Sequence, residues 1–232
     1  MQQDTVWRDP DFRVDGAQGR AFASAMPVAV LDRIQAGTMR TCYRGVPFFK
    51  SPFDIGLYLQ LLGRLAPRTV IEIGTKFGGS ALWFADMLTA QGIEDPRVVS
   101  VDINPQSRVE DPRIRFLHGD AGRLGEVLTQ ELLRACPHPW LVVEDSSHFY
   151  EHSLAALEFF DAHLLGGDYI VVEDGIVDGL SGEHYRRYRN GPNRAVADFL
   201  ATRGDAYVID EALCDLYGHN ATYNPNGWLR RL

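Results

Sequence analysis

Acidic residues follow two apolar runs of this chain, at the points where the runs end. Asp145 comes directly after the run that begins at Trp140, and the pair Glu173-Asp174 closes the run that begins at Tyr169. Because the carboxyl ends of parallel strands meet at one edge of a sheet, we expect these three carboxylates to lie close together. Carboxylate oxygens are the ligands that Mg²⁺ prefers. The pattern therefore predicts a metal site at Asp145, Glu173 and Asp174; the alternative is that these acids are sheet-end caps or ion-pair members.

A histidine lies three residues beyond the first of these acids. His148 is at or near the start of a predicted helix, so its side chain and that of Asp145 can face one pocket. An imidazole titrates near neutral pH and can take a proton from a substrate hydroxyl, whose pKa a bound metal would already have lowered. His148 is therefore the predicted general base; the alternative is a structural or solvent-facing histidine.

A glycine-rich turn lies upstream, in the segment Glu72–Ser80. Gly74 and Gly78 follow an apolar run and precede a helical pattern, which is the context in which glycines let the backbone approach a nucleotide-like cofactor. Lys76 stands where dinucleotide-binding turns often have their second glycine. The turn therefore favours a cofactor without a pyrophosphate.

Three further acids are candidates for contact with that cofactor. Asp102 ends the second predicted strand, where a carboxylate can accept hydrogen bonds from both ribose hydroxyls. Asp120 follows the third predicted strand and is placed to meet an adenine amino group. Glu72 lies inside the first strand, where burial is costly unless the carboxylate bonds backbone amides or a cationic cofactor tail. A purely structural role is the alternative for each of the three.

The hydrophobic pattern alternates between strand-like and helix-like segments, which predicts an α/β fold with a doubly wound, mostly parallel sheet. Ser51 and Pro52 mark the start of a helix that leads into the first strand. The turn signal Asn224–Gly227 precedes a final strand or hairpin. The other predicted strands are 69–73, 98–103, 114–118, 140–144, 169–173 and 206–209, and the other predicted helices are 80–88, 124–135, 153–165 and 195–202.

The chain divides into a predicted N-terminal cap and a predicted catalytic domain. Residues 1–50 show poor periodicity, with a possible helix over 21–35, and are expected to form a helical or irregular cap. Residues 51–232 are expected to form one cofactor-binding domain. The polar, glycine-rich stretch 176–193 is expected to be a lid-like loop at the active site.

Composition argues against several classes of partner. A net charge of −8 over 232 residues disfavours a nucleic acid. Apolar runs fall short of the roughly 20 residues that a membrane span requires. The three cysteines are widely separated and lack Cys-x-x-Cys spacing, which favours reduced thiols. We therefore expect a cytoplasmic protein whose partners are neither nucleic acids nor membranes.

These motifs together resemble the class I S-adenosylmethionine-dependent methyltransferases of the cephalosporin hydroxylase and rhamnosyl O-methyltransferase family, which includes macrolide-sugar O-methyltransferases. The resemblance covers residues 43–232. It is carried by the segments Gly45–Asp54, Glu72–Ser80, Val101-Asp102, Glu144–His148, Val172–Gly175 and Asn226–Arg230.

The resemblance implies a Rossmann-like class I methyltransferase that uses S-adenosylmethionine and Mg²⁺ and forms a homo-oligomer. It implies His148 as the base. It further implies that Asp145, Glu173 and Asp174 hold the metal and that the cofactor lies against Glu72, Gly74, Ser80 and Asp102.

The expected function is therefore metal-dependent O-methylation of a hydroxyl on a natural product or its sugar. A vicinal diol is the favoured acceptor, because two neighbouring oxygens can chelate magnesium. Two alternatives stay open: the same fold could support a non-methylating reaction, or the chain could be a noncatalytic small-molecule-binding partner subunit.

Overall fold

The structure of the protein is a computed structural model, which describes residues 17–232. Residues 1–16 of the predicted N-terminal cap lie outside the described residues. Within 17–232, no helix combines the length and the apolar character needed to cross a bilayer.

Helices and strands alternate over most of the described chain. The helices are α1 (Val28–Thr38), α2 (Pro52–Leu65), α3 (Gly79–Ala90), α4 (Gln130–Arg134), α5 (Tyr150–Asp161), α6 (Gly191–Arg203) and α7 (Glu211–Cys214). The strands are β1 (Cys42–Tyr43), β2 (Val46–Pro47), β3 (Thr69–Ile73), β4 (Arg97–Asp102), β5 (Ile114–His118), β6 (Trp140–Glu144), β7 (Tyr169–Val172), β8 (Tyr207–Ile209) and β9 (Trp228–Arg231). Short 3-10 helices cover Ala17–Gly19, Ala121–Glu126, Gly175–Gly179 and Glu183–Tyr188.

Seven of these strands form one sheet in the order β5-β4-β3-β6-β7-β9-β8. The pairs from β5 through β7 are parallel, and β9 runs antiparallel to both of its neighbours. Parallel neighbours need crossover connections, which α3 supplies between β3 and β4 and α5 supplies between β6 and β7. The predicted doubly wound, mostly parallel α/β fold is confirmed.

The two central strands set the position of the site. Every residue of β3 and β6 is buried, which explains why both read as continuous apolar runs. Their register pairs Ile73 with Glu144, so the chain leaves both strands at the same level. Gly74 and Asp145 therefore emerge side by side, and the Asp145 amide donates to the Ile73 carbonyl at 2.8 Å.

Helix α2 begins as predicted. The Ser51 hydroxyl accepts a hydrogen bond from the Asp54 amide at 3.1 Å, and Pro52 occupies the first turn. The helix buries Leu57 and Tyr58 in the main core. The start of α2 therefore fixes Lys50, the residue before Ser51, near the carboxyl end of β6.

Four predicted helices are wrong in extent. The helix predicted over 153–165 is α5, Tyr150–Asp161, and the one predicted over 195–202 begins earlier, at Gly191. The other two differ more. The continuous helix predicted over 124–135 is instead a 3-10 helix followed by α4, because the Thr129 hydroxyl accepts from the Leu132 amide at 3.2 Å and starts a new helix there. The helix predicted over 21–35 begins only at Val28. Pro27 before it has an extended backbone (ψ 140°), and a proline disfavours helical conformation in the residue that precedes it.

Helix α1 packs onto the segment that follows β7. A second, smaller hydrophobic cluster joins Leu31 of α1 to Ile176, Leu180 and Tyr223. Burial of these side chains anchors α1 beside the carboxyl end of β7. The described part of the predicted cap therefore forms one wall of the site.

Candidate active site

A cavity of about 640 Å³ opens at the carboxyl ends of β3, β4, β6 and the loop after β7. Ligands bind at this edge in doubly wound sheets. Its walls come from α1, the segment before α2, the loops after these strands and the 3-10 helix Glu183–Tyr188. The predicted site residues that line it are Gly74, Ser80, Asp102, Asp145, His148 and Asp174.

The glycine turn brings backbone to places where a side chain would not fit. Gly74 has φ +108°, and a Cβ atom there would lie 1.9 Å from the Asp145 carbonyl oxygen. A Cβ atom at Gly79 would lie 2.1 Å from the Pro47 carbonyl oxygen. Gly78, which is not a lining residue, caps α3 with φ +84°. The turn is thus held against two neighbouring loops and leaves a bare backbone surface toward the cavity.

Asp102 is held in place by main-chain donors. The Lys76 amide donates to its Oδ2 atom and the Asn104 amide donates to its Oδ1 atom, both at 2.7 Å. A carboxylate oxygen has more than one acceptor site, so each oxygen can also accept from a ligand. This arrangement suits the predicted contact with two ribose hydroxyls.

Glu72 lies fully buried beneath the turn. Its Oε2 atom accepts from the Ser100 hydroxyl at 2.6 Å, whereas its Oε1 atom has no hydrogen-bond partner. Burial raises the pKa of Glu72, and Lys50 and Ser100 oppose that rise. An orphaned carboxylate oxygen is costly in a protein interior. Glu72 does not line the cavity, so a cationic ligand amine would satisfy this oxygen only after a shift of the turn above it.

Asp120 lies outside the cavity lining. Its Oδ1 atom accepts from the Gly122 amide at 2.8 Å and so caps the following 3-10 helix. This backbone hydrogen bond is the main reason that the pKa of Asp120 lies below its usual range. Of the predicted cofactor contacts, Asp120 has the clearest structural role.

Three predicted residues converge at the other end of the cavity. Asp145, His148 and Asp174 each offer one atom that could coordinate a metal ion, and these three atoms lie within 4.8 Å of one another. The His148 Nε2 atom is 3.4 Å from the Asp174 Oδ2 atom. His148 and Asp174 both have left-handed backbones, with φ of 61° and 59°. Such strain in residues other than glycine is concentrated at functional sites.

Glu173 is not part of this group and instead accepts hydrogen bonds from two other side chains. It is 4% exposed, and Lys50 and Tyr58 donate to its two oxygens. The Lys50 ammonium also donates to the Asp145 Oδ2 atom at 2.6 Å. Lys50 therefore joins the two acids as a buried counter-charge.

Burial and mutual repulsion shape the pKa values of this cluster. Burial raises the pKa of Glu173 well above its usual range, and Asp145 and Asp174 add to the rise. Burial also raises the pKa of Asp174 to about 6, against the opposing effect of His148. For Asp145 the attraction of Lys50 and His148 outweighs burial, and its pKa is lowered. The carboxylate that is ionised most readily is thus that of Asp145, which lies between Lys50 and His148.

Aromatic side chains enclose the cavity beyond the candidate metal and base residues Asp145, His148, Glu173 and Asp174, which we call the metal cluster. We call Phe149, His184, Tyr185 and Tyr188 the aromatic wall; all four line the cavity. The Tyr188 ring lies 5.3 Å from the His148 ring, nearly edge-on, and 5.4 Å from the Phe149 ring. Such a wall can pack against the apolar face of a sugar or aromatic ring while the polar cluster meets its hydroxyls.

The donor set fits a hard divalent cation. Asp145 and Asp174 offer the carboxylate oxygens that such an ion prefers, and the His148 imidazole lies within 4.8 Å of both. The bare glycine turn, the fixed Asp102 carboxylate and the orphaned Oε1 atom of Glu72 fit S-adenosylmethionine, which carries a ribose and an ammonium group. The two ligands would lie side by side in one cavity.

Several residues of this site have no role that the sequence alone predicts. Lys50 lies in the segment Gly45–Asp54, which carries the family resemblance without implying a role for this lysine. Tyr58, Tyr223 and the aromatic wall belong to no motif with a predicted role. One signal was present: the chain has only two lysines, Lys50 and Lys76, and both line the cavity. The aromatic residues carried no comparable signal, because aromatic side chains are common throughout protein cores.

Comparison with known proteins gives a consistent result. The family model described as rhamnosyl O-methyltransferase/CmcI matches residues 36–232. The rhamnosyl O-methyltransferase of Mycobacterium tuberculosis is 31% identical over 202 residues, which is 83% of this chain and 78% of that protein. That of Mycobacterium leprae is 31% identical over 196 residues, covering 82% of this chain and 83% of that protein.

A solved structure agrees with these sequence matches. The structure of CmcI with Mg and SAM superposes with a TM-score of 0.62 at 27% identity, covering 84% of this chain and 77% of that chain.

Proposed function

The chain belongs to the rhamnosyl O-methyltransferase/CmcI family, and from this premise we propose that it transfers a methyl group from S-adenosylmethionine to a hydroxyl with the help of Mg²⁺. The observation that carries the proposal is the convergence of Asp145, His148 and Asp174 beside the glycine turn in one cavity. The Mg and SAM of the CmcI structure support the same pair of ligands here.

The cofactor half of the proposal rests on residues around the first two strands. Gly74 and Ser80 line the surface against which the cofactor would lie, and Gly78 gives the turn its shape. Asp102 would accept hydrogen bonds from the ribose, and Glu72 would meet the ammonium group. Asp120, which follows β5 just outside the cavity lining, would contact the adenine.

The metal site in this proposal consists of carboxylates of the metal cluster. Asp145 and Asp174 would hold the ion. Glu173 completes the proposed set if it exchanges its hydrogen bond to Lys50 or to Tyr58 for the metal. Bound there, Mg²⁺ would lower the pKa of an acceptor hydroxyl and position it.

His148 is the proposed general base. Its Nε2 atom lies 3.4 Å from the Asp174 Oδ2 atom. The imidazole can therefore take the hydroxyl proton on the side where the acceptor oxygen would lie. The nearby Asp174 carboxylate would stabilise the imidazolium that forms. The cavity walls would hold the oxygen in line with the methyl group.

The proposed acceptor is a hydroxyl of a natural product or its sugar. Support comes from the aromatic wall, which suits a ring, and from the rhamnosyl O-methyltransferase relatives, whose name specifies a sugar. Two neighbouring oxygens on such a ring would chelate the ion.

We also propose roles for two segments and an assembly. Val177 and the 3-10 helix Glu183–Tyr188 contribute to the cavity wall, which supports a lid role for residues 176–193. Helix α1 contributes Gln35 and Met39, which supports a capping role for residues 1–50. A homo-oligomer is the proposed assembly, and light scattering would test it.

The first test is calorimetric titration of S-adenosylmethionine into chelator-stripped protein, with Asp102→Ala as the control. We expect saturable binding that the substitution weakens about tenfold, the effect of one or two lost hydrogen bonds. Absence of binding to the natural protein, with or without Mg²⁺, would refute the methyltransferase proposal.

The second test is transfer of labelled methyl to a panel of glycosides and catechols by the natural protein and by His148→Ala. The substitution should lower turnover by about 100-fold or more while cofactor affinity is retained. Consumption of an acceptor without label in any product would favour the non-methylating alternative.

A further inference from the structure

Three lysine or arginine side chains of the described chain line the cavity. Lys50 is buried and already donates to two carboxylates. Lys76 is exposed in the glycine turn, at the cofactor end. Arg187 is exposed in the 3-10 helix Glu183–Tyr188, which contributes to the aromatic wall. The proposed reaction gives Arg187 no role.

The Arg187 guanidinium forms no ion pair with an acidic side chain within residues 17–232. Its Nη2 atom donates to the Tyr188 hydroxyl at 2.7 Å, and its Cζ atom lies 4.7 Å from the centre of the Tyr188 ring. A guanidinium has five N–H donors, so most of them stay available. Because the side chain is exposed and lines the cavity, a bound ligand can reach these donors.

An arginine with a structural role has different surroundings in this protein. Arg113 donates to Asp86 at 2.7 Å and to Asp111 at 2.6 Å, and neither acid lines the cavity. Its charge is thus matched by the protein itself. Arg187 offers the same donors without such acceptors, which leaves its charge to be matched by a ligand.

The contact with Tyr188 fixes the guanidinium relative to the reaction. The Tyr188 ring lies 5.3 Å from the His148 ring, so one aromatic ring separates the guanidinium from the proposed base. Stacking on that ring also restricts the guanidinium before a ligand binds, which lowers the entropic cost of binding. An acceptor whose hydroxyl lies at His148 can therefore extend along Tyr188 toward Arg187.

The charge of the cavity favours a ligand with a single negative charge at this position. A guanidinium fork matches the oxygens of carboxylates and of phosphates alike. The cavity is also lined by Asp102, Asp145 and Asp174, which would repel a phosphate dianion more strongly than a carboxylate. A carboxylate is thus the anion that fits this site best.

We propose that Arg187 binds a carboxylate of the acceptor, across the acceptor ring from the hydroxyl that is methylated. The inference rests on the proposed function and deepens it, because it narrows the acceptor to ring acids with neighbouring hydroxyls, such as catechol acids and uronic acid sugars. The hydroxyls of such an acceptor meet the metal cluster, its ring packs against Tyr188, and its carboxylate meets the guanidinium.

The experiment compares acids with their neutral amides on protein loaded with Mg²⁺ and S-adenosylhomocysteine. The two pairs are protocatechuate with its amide and methyl glucuronoside with its amide; within each pair the neighbouring hydroxyls are the same and only the charge differs. We expect the natural protein to bind the acid of at least one pair about tenfold or more tightly than the amide, as for a charge-assisted hydrogen bond.

Three variants identify the side chain responsible. Arg187→Gln should abolish the preference for the acid and leave the affinity for the amide within about twofold. Arg187→Lys, which keeps the charge but not the fork, should retain part of the preference. Arg189→Gln is the matched control, since Arg189 is exposed in the same segment but does not line the cavity; it should keep the full preference. All three should bind S-adenosylhomocysteine as the natural protein does.

Four outcomes would overturn the inference while leaving the proposed function in place. In the first, the natural protein binds neither acid, or binds each acid no better than its amide. In the second, Arg187→Gln weakens acid and amide equally, which would mean that Arg187 only supports Tyr188. In the third, Arg189→Gln loses the preference as well. In the fourth, Arg187→Gln weakens binding of S-adenosylhomocysteine, which would assign the carboxylate to the cofactor. Failure of S-adenosylhomocysteine to bind the natural protein would instead refute the proposed function itself.

Discussion

At the glycine turn the groups that face the cavity are held by the backbone, whereas at the metal cluster they are held by one another. Asp102 is oriented by two main-chain amides, and Gly74 is pressed against a neighbouring carbonyl. Asp145 and Glu173 are oriented by the Lys50 ammonium, which comes from a segment far away in the sequence. The geometry of the glycine turn therefore depends on local backbone conformation. The geometry of the metal cluster depends on attraction between oppositely charged side chains.

This difference has consequences for how each end responds to change. Main-chain donors do not titrate in the working range of an enzyme, so the glycine turn should tolerate changes of pH and be damaged by changes of backbone geometry. Buried ionised groups depend on each other. The metal cluster should therefore respond to any change in the number of charges.

Replacement of Lys50 by methionine should produce the largest effect, because it leaves the buried Glu173 and the half-buried Asp145 without their counter-charge. Loss of one partner from a buried ion pair costs about 3–5 kcal/mol, and the free energy of unfolding in urea should fall by that amount. Lys76→Met is the control, since Lys76 is exposed and contacts the rings of Phe49 and Phe77. It should cost at most about 1 kcal/mol. Equal losses from both variants would show that charge does not hold the cluster.

Replacement of Gly74 by alanine should have the next largest effect, because the added Cβ atom has no room. Gly167 provides the control: it has a similar φ of +97°, but a Cβ atom there would meet nothing within 4 Å. Gly167→Ala should cost about 1–2 kcal/mol for its left-handed backbone alone. Gly74→Ala should cost about 2–4 kcal/mol, since overpacking adds to the same strain, and should also weaken binding of S-adenosylmethionine. If the two variants unfold at the same urea concentration, the close approach at Gly74 carries no energetic weight.

The smallest effect is expected from a change of pH, which should alter the affinity for Mg²⁺ more than the affinity for S-adenosylmethionine. Asp174 has a pKa of about 6, and a metal ion binds the ionised carboxylate, so protons and metal compete. Mg²⁺ affinity should therefore be nearly constant above pH 7 and fall about tenfold between pH 7 and pH 5. Affinity for S-adenosylmethionine should change much less over the same range. Calorimetric titrations at several pH values would measure both; parallel curves would contradict the proposed contrast.

The fold was largely predictable because its signals are local. Strands β3, β5 and β6 have the predicted bounds. For β3 and β6 the reason is that buried parallel strands read as short, largely apolar runs. The break before α4 was missed because a threonine that starts a helix looks, in sequence, like any threonine within one. The late start of α1 had a visible signal in Pro27, which the apolar spacing over 21–35 obscured.

The site was predictable only where it is local. Asp145 and His148 lie close in sequence, and Asp174 follows a neighbouring strand, so topology alone brings them together. The partners of Glu173 could not be read in this way, because Lys50 lies just before α2 and Tyr58 within it, both more than a hundred residues upstream. Whether a carboxylate faces a metal or a lysine depends on such distant contacts.

The two lysines of the chain also make it unusually simple to label. Lys50 is buried within its ion pairs, and these carboxylates hold its pKa above the usual range although burial opposes them. It should therefore be inert to amine-reactive reagents. Lys76 is exposed at the cavity, beside the glycine turn. Lys76 should thus be the one side-chain amine that an acylating fluorophore modifies. Once the α-amino group is blocked, the emission of that label would report when the cavity fills.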